Sequence, residues 1–240
     1  MKSKLNYFTK SEHMLWSVSS LTIIISFCIF DRANYLTLAA SLVGVTSLIF
    51  NAKGNPFGQV LMIAFSVLYG IISLSFAYYG EMITYLGMTA PMAVFSLISW
   101  VRNPYDAGKS EVKVNSLRSS ETVFMLFITA AVTIAFYFIL KFFNTASLLP
   151  STVSVTTSFL AAYLTFRRSI YFALAYAAND VVLIVLWAIA TASDTAYLSV
   201  TICFAMFLAN DIYGFISWSR MKIRQASDDV AKERPLKMNG

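Results

Sequence analysis

The sequence predicts an all-α protein that crosses a membrane eight times, and three observations support this fold class. Of the 240 residues, 58% are apolar and only 12% are charged, whereas soluble proteins carry about 25% charged residues. The mean hydropathy is +0.67. The apolar residues form eight runs. Each run is close in length to the roughly 20 residues that a membrane helix needs. This composition disfavours a soluble enzyme, a disordered chain and a disulfide-rich secreted domain.

The predicted spans, numbered 1 to 8 along the chain, cover about 13–30, 34–50, 56–78, 81–101, 120–143, 149–166, 169–192 and 195–218. Span 1 follows basic residues, as the apolar region of a signal peptide would, but no small-residue cleavage site follows Phe30. We therefore predict a membrane helix there. A polar loop separates spans 4 and 5, and the charged tail after Trp218 is expected to be poorly ordered.

The basic residues orient these spans. An even number of spans places both termini on one side, and all 18 Lys and Arg residues except Arg32 and Lys141 then fall on that side. The positive-inside rule identifies that side as the cytoplasm. The net charge of +6 is therefore assigned to cytoplasmic loops and not to nucleic-acid binding.

The sequence lacks the motifs that enzymes and cofactor sites commonly use. Its single histidine, His13, lies at the start of span 1, and there is no G-x-S-x-G, P-loop or H-E-x-x-H motif. Cys28 and Cys203 lie far apart in apolar runs, so we interpret both as small core residues. We predict that the protein is not an enzyme and uses no metal or cofactor.

The ends of spans 4 and 8 have similar sequences. Phe95-Ser-Leu-Ile-Ser-Trp100-Val-Arg102 matches Tyr213-Gly-Phe-Ile-Ser-Trp218-Ser-Arg220 at a constant offset of 118. Two unrelated Trp-x-Arg anchors at a membrane boundary would give the same match. An internal repeat explains it if spans 2–4 and 6–8 are parallel three-helix units joined by span 5, with span 1 outside this 3+1+3 core. Parallel repeats place a substrate site near the midplane, where the units face each other.

Two acidic residues, Asp180 in span 7 and Asp211 in span 8, lie within apolar helices, and each follows an asparagine, Asn179 or Asn210. A charged side chain at the bilayer centre costs at least ~2.5–3.5 kcal/mol, so such residues usually face a cavity or a polar partner. Two interpretations are open: a functional site, or a buried polar contact that holds spans 7 and 8 together.

Further polar and aromatic candidates surround these acids. Tyr176 lies four residues before Asp180, on the same helix face, and Tyr213 lies three residues after Asn210. Gln59 is an early polar residue of span 3. Span 4 is interrupted at Thr89-Ala90-Pro91, where proline frees a carbonyl group. Carboxylates, carboxamides and aromatic rings together suit a small, flat, polar and cationic molecule.

Two segments of the chain resemble the PnuC-type vitamin transporters. The first runs from Gly87 to Trp100 and continues into Asn103-Pro-Tyr105. The second comprises Tyr176-Ala-Ala-Asn-Asp180 and Leu208-Ala-Asn-Asp-Ile-Tyr-Gly-Phe-Ile-Ser-Trp218. The resemblance extends over about residues 34–220. It implies the 3+1+3 topology, facilitated diffusion of nicotinamide riboside across a bacterial inner membrane, trapping by a cytoplasmic nucleoside kinase, and a homotrimer.

The chain departs from this family at one motif. Some members carry W-x-x-W-x-x-x-N on span 7, and the matching positions here are Ala173, Tyr176 and Asp180. Thiamine and other vitamins therefore stay open as substrates. A proton- or ion-coupled transporter that uses Asp180 or Asp211 is a further alternative, and so is a membrane scaffold without a transported ligand.

The predicted protein is thus a transporter in the lipid bilayer, with both termini in the cytoplasm. The predicted substrate site comprises Gln59, Thr89, Tyr176, Asn179, Asp180, Asn210 and Tyr213, with Trp100 and Trp218 near its inner gate. The predicted division of the chain is an extra helix at 1–33, repeats at 34–101 and 148–220, a loop and linker helix at 102–147, and a tail at 221–240.

Overall fold

The structure, a computed structural model, describes residues 7–75, 79–106, 110–145 and 147–238. Within these ranges the regular structure is helical, apart from one isolated β-bridge between Pro104 and Val112. In the part of the chain that the structure describes, eight helices are long and apolar enough to cross a membrane, which confirms the predicted number of spans. Their bounds are Lys10–Phe30, Tyr35–Ala52, Phe57–Ser75, Tyr79–Arg102, Ser119–Phe142, Leu148–Phe166, Phe172–Thr191 and Leu198–Met238, and a short 3-10 turn, Thr195–Tyr197, precedes the last.

Span 1 begins with a capping box. The Thr9 side chain accepts a hydrogen bond from the Glu12 backbone N–H at 3.3 Å, and the Glu12 carboxylate accepts one from the Thr9 N–H at 2.7 Å. These bonds satisfy donors that a helix start leaves free. Glu12 also forms an ion pair with Lys53 at 3.1 Å. The start of span 1 is therefore fixed to the end of span 2.

Span 4 is not a uniform α-helix, as the expected interruption near Pro91 indicated. It consists of a short α-helix, Tyr79–Ile83, a π-helical turn, Thr84–Thr89, and a second α-helix, Ala90–Arg102. Pro91 lies in the first turn of that second helix, where its missing N–H is tolerated. The Thr89 hydroxyl donates to the Thr84 carbonyl at 3.2 Å. The wide turn re-aims the side chains of Tyr85 and its neighbours.

The turns after spans 2 and 6 have matching backbones at an offset of 114 residues. Gly54 and Arg168 both have positive φ, 64° and 56°. The Asn55 N–H donates to the Phe50 carbonyl at 3.0 Å, and the Ser169 N–H donates to the Leu164 carbonyl at 3.0 Å. The two turns close their helices in the same way.

The similar ends of spans 4 and 8 make equivalent contacts. Trp100 Nε1 donates to the Thr165 carbonyl at 2.8 Å, at the end of span 6. Trp218 Nε1 donates to the Asn51 carbonyl at 2.7 Å, at the end of span 2. The serines that precede these tryptophans donate to the next carbonyl along, from Ser99 to Phe166 and from Ser217 to Ala52. This exchange of partners between two halves supports the proposed internal repeat.

The tail after Trp218 is helical as far as Met238, so the expectation of poor order is wrong for these residues. The last two residues of the tail lie outside the described ranges. Span 8 continues without a break as far as Met238. Gln225 is buried and donates to the Glu111 carboxylate at 2.8 Å and to the Val112 carbonyl at 3.0 Å. Its side-chain carbonyl accepts from the Val114 N–H at 2.9 Å. The tail is ordered because the loop between spans 4 and 5 satisfies its buried polar groups.

That loop joins the two halves of the protein. The Val112 N–H donates to the Gly54 carbonyl at 3.0 Å, and the Asn115 N–H donates to the Arg168 carbonyl at 3.0 Å. Gly54 and Arg168 are the equivalent residues of the two matching turns. We call residues 110–115 the strap, because they bridge both turns and contact the tail.

Span 5 lies at the periphery and packs mainly against span 6. Its outer surface carries exposed apolar side chains such as Val123, Phe127 and Phe142, as expected for a helix in contact with lipid. Cys203 is buried in the core as predicted, whereas Cys28 is exposed on the surface of span 1. The interpretation of Cys28 as a core residue is therefore wrong.

Candidate functional site

Two carboxyl groups meet in the interior of the bundle, where spans 7 and 8 pack against each other. Asp180 and Asp211 are each only 4% exposed, and their side chains lie within hydrogen-bonding distance of one another. One oxygen of Asp180, Oδ2, has no hydrogen-bond partner among the described residues. Buried polar atoms are normally satisfied. Two acidic side chains in contact inside an apolar bundle mark this pair as the centre of the candidate site.

Tyr85 connects this carboxyl pair to Glu81, which lies at the beginning of span 4. Tyr85, on the π-helical turn, lies close enough to both Glu81 and Asp180 to interact with their charges. Its ring contacts the ring of Tyr69 from span 3, with centroids 5.0 Å apart. The π-helical turn thus places an aromatic hydroxyl between two acidic groups.

Three cavities meet at Glu81. The largest, of about 570 Å³, opens at the end of the bundle opposite Trp100 and Trp218. Its volume is within the roughly 300–1,000 Å³ of small-molecule sites. Smaller cavities of about 80 Å³ and 20 Å³ continue from it. We call the largest one the outer cavity.

The outer cavity combines aromatic rings with acidic groups. Trp187 and Tyr197 line it, with ring centroids 5.4 Å apart, and so do Glu81 and Asp194. Asp31 lines the adjoining 80 Å³ cavity. Among the described residues that line these three cavities, none is Lys, Arg or His. Such a lining attracts cations and repels anions.

The other side of the carboxyl pair is closed by aromatic residues. Tyr176 lies near both Asp211 and Asp180, and its hydroxyl contacts that of Thr165. Phe172 follows, at centroid distances of 6.4 Å from Tyr176 and 4.8 Å from Trp218. The fully buried rings of Trp100 and Trp218 lie 5.3 Å apart. These contacts form an uninterrupted series from the carboxyl pair to the tryptophans.

Asn179 is beside the pair but faces span 6. Its side-chain oxygen accepts hydrogen bonds from Ser154 at 3.2 Å, Thr157 at 2.8 Å and Ser158 at 3.0 Å. Ser154 and Ser158 also line the 20 Å³ cavity, together with Thr89 and Tyr85. Thr89 thus lines the smallest of the three cavities, and Asn179 bonds to two other residues of that lining, Ser154 and Ser158.

Two predicted residues of span 8 face span 1 instead. Asn210 donates to the Ser19 hydroxyl at 2.9 Å, and the Tyr213 hydroxyl donates to the Glu12 carboxylate at 3.2 Å. Because consecutive helical residues diverge by about 100°, Asp211 points towards span 7 while Asn210 does not. The structure does not bring Asn210 or Tyr213 to the carboxyl pair.

Gln59 is buried in a polar network between spans 2 and 3. Its amide donates to Asn51 Oδ1 at 2.8 Å, and the Asn51 amide donates to the Ser47 hydroxyl at 3.3 Å. Because Trp218 bonds to the Asn51 carbonyl, this network lies beside the paired tryptophans. It supports the closed end of the bundle and lies apart from the outer cavity.

Sequence reasoning missed Glu81 and Tyr85. The prediction began span 4 at Glu81, so this carboxylate counted as one at a helix end. Yet Glu81 and Tyr85 are four residues apart, as Tyr176 and Asp180 are. The same spacing of an acid and a tyrosine on one helix face was therefore a usable signal.

Comparison with known proteins identifies the family. The family described as "Nicotinamide mononucleotide transporter" matches residues 34–220. A protein from Neisseria mucosa named "Nicotinamide riboside transporter PnuC" is 24% identical over 218 residues, which cover 88% of this chain and 82% of that protein. The "Crystal structure of the Vitamin B3 transporter PnuC" superimposes with a TM-score of 0.78 at 21% identity, covering 91% of this chain and 94% of the other. That likeness confirms the all-helical fold.

The matched segment begins just before span 2 and ends within span 8. It includes the carboxyl pair, the π-helical turn and both tryptophans, so the family match and the candidate site concern the same part of the chain. The members of this family are transporters and not enzymes. The chain belongs to the nicotinamide mononucleotide transporter family and is a multi-pass transport protein of the bacterial inner membrane.

Proposed function

We propose that this protein carries nicotinamide riboside, a nucleoside with a permanently cationic ring, from the outer cavity to the cytoplasm. The observation that carries this choice is the acidic, aromatic lining of the cavities around Glu81. The family description mentions the mononucleotide, which adds a phosphate group. Phosphate sites usually offer Arg, Lys or a helix N-terminus, and the described lining has no basic side chain. The riboside therefore fits better than the mononucleotide.

The outer cavity is suited to the first binding step. The rings of Trp187 and Tyr197 offer a surface on which a flat pyridinium ring stacks, and Glu81 and Asp194 supply the opposite charge. Cation–π contacts of this kind contribute roughly 0.5–2 kcal/mol each. Tyr85 lies close to both Glu81 and Asp180, so it connects this first site to the carboxyl pair.

The remaining path is closed in this structure. Tyr176, Phe172 and the tryptophan pair occupy the space between the carboxyl pair and the end of the bundle that holds Lys53 and the strap. We assign Trp100 and Trp218 to an inner gate, and Asp180 with Tyr176 to the deeper substrate site. Gln59, Asn210 and Tyr213 are assigned to helix packing around that site.

We also propose a mode of transport and an assembly. The sequence has no P-loop, so movement down the substrate gradient, followed by trapping through a cytoplasmic nucleoside kinase, is the simplest energy source. A homotrimer is proposed from the family resemblance. Both termini are proposed to lie in the cytoplasm, because the basic residues concentrate at their end of the bundle.

Thiamine is the second candidate substrate. It is also a flat organic cation, so the acidic lining would attract it equally. The position that matches the family's motif Asn is Asp180 here, and the first motif tryptophan is replaced by Ala173. These two differences from the motif keep thiamine open as a substrate.

Calorimetric titration of the detergent-purified protein tests the substrate. Four ligands are compared: nicotinamide riboside, its mononucleotide, thiamine, and the reduced riboside, whose ring is neutral. We expect saturable binding of the riboside, at least tenfold tighter than that of the mononucleotide or the reduced form. Tighter binding of thiamine than of the riboside would support thiamine as the substrate. Tighter binding of the mononucleotide would contradict the role of the acidic lining.

A further inference from the structure

The carboxyl pair has an unusual charge environment. In the described part of the chain no ion pair reaches Asp180 or Asp211. Among the described residues, the titratable groups that interact with them are Tyr85 from span 4, Tyr176 from span 7 and Cys203 from span 8, and none of these carries a positive charge. Tyr69 from span 3 and Glu81 from span 4 lie further away, beside Tyr85. Ser41 of span 2 contacts Cys203, and Thr165 of span 6 contacts Tyr176.

Two ionised carboxylates in direct contact repel each other strongly where water is excluded. Carboxyl groups that share a site therefore tend to share a single proton. A hydrogen bond between Asp180 and Asp211 needs such a proton, because an ionised carboxylate only accepts. The contact between the two side chains is thus the arrangement expected of a pair with one proton and a net charge of −1.

We propose that the Asp180–Asp211 pair holds one proton in the substrate-free protein and releases it when the cationic ring of the substrate binds. This inference rests on the proposed function. Before binding, the pair carries two carboxyl groups and one proton. Afterwards, it carries two carboxylates and one organic cation, and the proton has moved to water. The net charge of the buried site is −1 in both states, so binding adds no further charge to it.

The free oxygen of Asp180 favours exchange over a purely structural role. Among the described residues no N–H or hydroxyl donor reaches Asp180 Oδ2, although buried polar atoms are normally satisfied. That atom can accept from, or contact, an incoming ligand without breaking an existing bond. Tyr85 and Glu81 lie on the side of the outer cavity, which gives the released proton a route to water.

The test measures protons released on binding. The full chain in detergent is titrated with nicotinamide riboside at one pH in three buffers that differ in ionisation enthalpy. The slope of observed heat against buffer enthalpy counts the protons. We expect a release approaching one proton for the riboside and none for the neutral reduced riboside. The riboside's affinity should accordingly rise by up to about tenfold per pH unit.

Three variants test whether the released proton comes from the carboxyl pair or from another acidic group. Asp211→Asn and Asp180→Asn each leave a single carboxyl group, which needs no shared proton, so the release should fall to near zero. Asp229→Asn removes an exposed acid of the tail that pairs with Lys113, and it should release the same number of protons as the wild type. Size-exclusion elution verifies that each variant is folded.

The outcomes distinguish the inference of proton release from the proposed transport of the riboside. Saturable binding of the riboside with zero slope in the wild-type protein would overturn the inference and leave the proposed function standing. An undiminished slope in both Asn variants would also overturn it, because the proton would then come from another group. A folded wild-type protein that binds no riboside would overturn the proposed function, and the inference with it.

Discussion

Neighbouring residues of span 8 have different tasks because a helix turns by about 100° at each step. Asn210 bonds to Ser19 of span 1, whereas Asp211 contacts Asp180 of span 7. On span 7, Asn179 faces span 6 while Asp180 faces span 8. Each Asn-Asp pair thus joins its helix to two neighbours. The carboxylates meet at the centre, and the amides lie on either side.

The charge of Asp180 should matter to a cationic ligand. We expect Asp180→Asn to weaken binding of nicotinamide riboside by roughly tenfold or more, since losing an opposite charge in a desolvated site typically exceeds 1.4 kcal/mol. The neutral reduced riboside, which has nearly the same shape, should bind with almost unchanged affinity. An equal loss for both ligands, measured by calorimetry, would mean that the substitution acts through shape and not through charge.

Asn179 should contribute to stability through its three hydroxyl donors. Asn179→Ala leaves Ser154, Thr157 and Ser158 without their shared acceptor, and we expect a loss of about 1–3 kcal/mol in the free energy of unfolding. Thr157→Val removes only one donor and should cost less. Thermal unfolding in detergent measures both. An equal shift in Tm for the two variants would contradict this account of the network.

Gly58 marks a close approach between spans 2 and 3. A Cβ placed there would lie 2.8 Å from the Asn51 backbone nitrogen, so Gly58→Ala should disturb the Gln59–Asn51 contact and destabilise the protein by about 1–3 kcal/mol. Gly214 is the control, because its added Cβ would lie 3.6 Å from Ala173, an ordinary contact. Gly214→Ala should be neutral or slightly stabilising. The reverse order of Tm values would disprove the close approach.

At the scale of the helices, the two halves of the protein share a bonding scheme. Trp100 and Trp218 each donate to the carbonyl at the end of a helix from the other half. Trp100→Phe and Trp218→Phe each remove one such donor and should destabilise the protein by similar amounts, about 0.5–1.5 kcal/mol. A severalfold difference between their Tm shifts would argue that the sequence match reflects two unrelated anchors.

The strap and the tail form a second connection between the halves. Gln225→Ala removes three hydrogen bonds to the strap, so we expect faster proteolytic cleavage between spans 4 and 5. Ser227 lies on the same helix, and its exposed hydroxyl donates to the Ile223 carbonyl of that helix. Ser227→Ala should therefore not change the cleavage rate. Limited proteolysis followed by mass spectrometry locates the cut. Unchanged cleavage in Gln225→Ala would show that the strap is held by other contacts.

Hydropathy predicted the helices well and the tail poorly, for one physical reason. The apolar run of span 8 ends near Trp218, where we expect the helix to leave the hydrocarbon. The helix continues beyond this point because tertiary contacts satisfy the polar groups of the tail. Gln225 has no hydrophobic signal, and its partners Glu111 and Val114 lie more than a hundred residues away. The π-helical turn is similar: Pro91 indicated an interruption, while the width of the turn depends on packing that the sequence does not state.

For the whole molecule, the first described residues and the tail lie at the same end of the bundle. Tyr7 accepts from Asn55 at 2.7 Å, beside the strap. A cysteine-free background, made by replacing Cys28 and Cys203, allows the sides to be tested. In intact cells an impermeant maleimide should label Ser193→Cys, near the outer cavity, and label Ser227→Cys only after permeabilisation. The opposite pattern would invert the predicted orientation.

The candidate site was predicted in part. The sequence indicated Asp180, Tyr176 and the tryptophans, because charges and interfacial aromatic residues are conspicuous in apolar helices. It did not distinguish Asn210 and Tyr213, whose partners are on span 1, from residues that face the centre. The outer cavity depends on loops and helix ends, where hydropathy carries little information. Which residues of each helix face the centre is therefore determined by packing and not by spacing alone.

The central claim is that this chain moves a cationic nucleoside along the acidic path through its core. Counterflow in proteoliposomes tests it most directly: vesicles are loaded with unlabelled nicotinamide riboside, and the entry of external labelled riboside is followed over time. We predict a transient accumulation that vesicles without protein do not show, and that Asp180→Asn reduces severalfold. Entry no faster than in protein-free vesicles, with folded protein reconstituted, would contradict the claim.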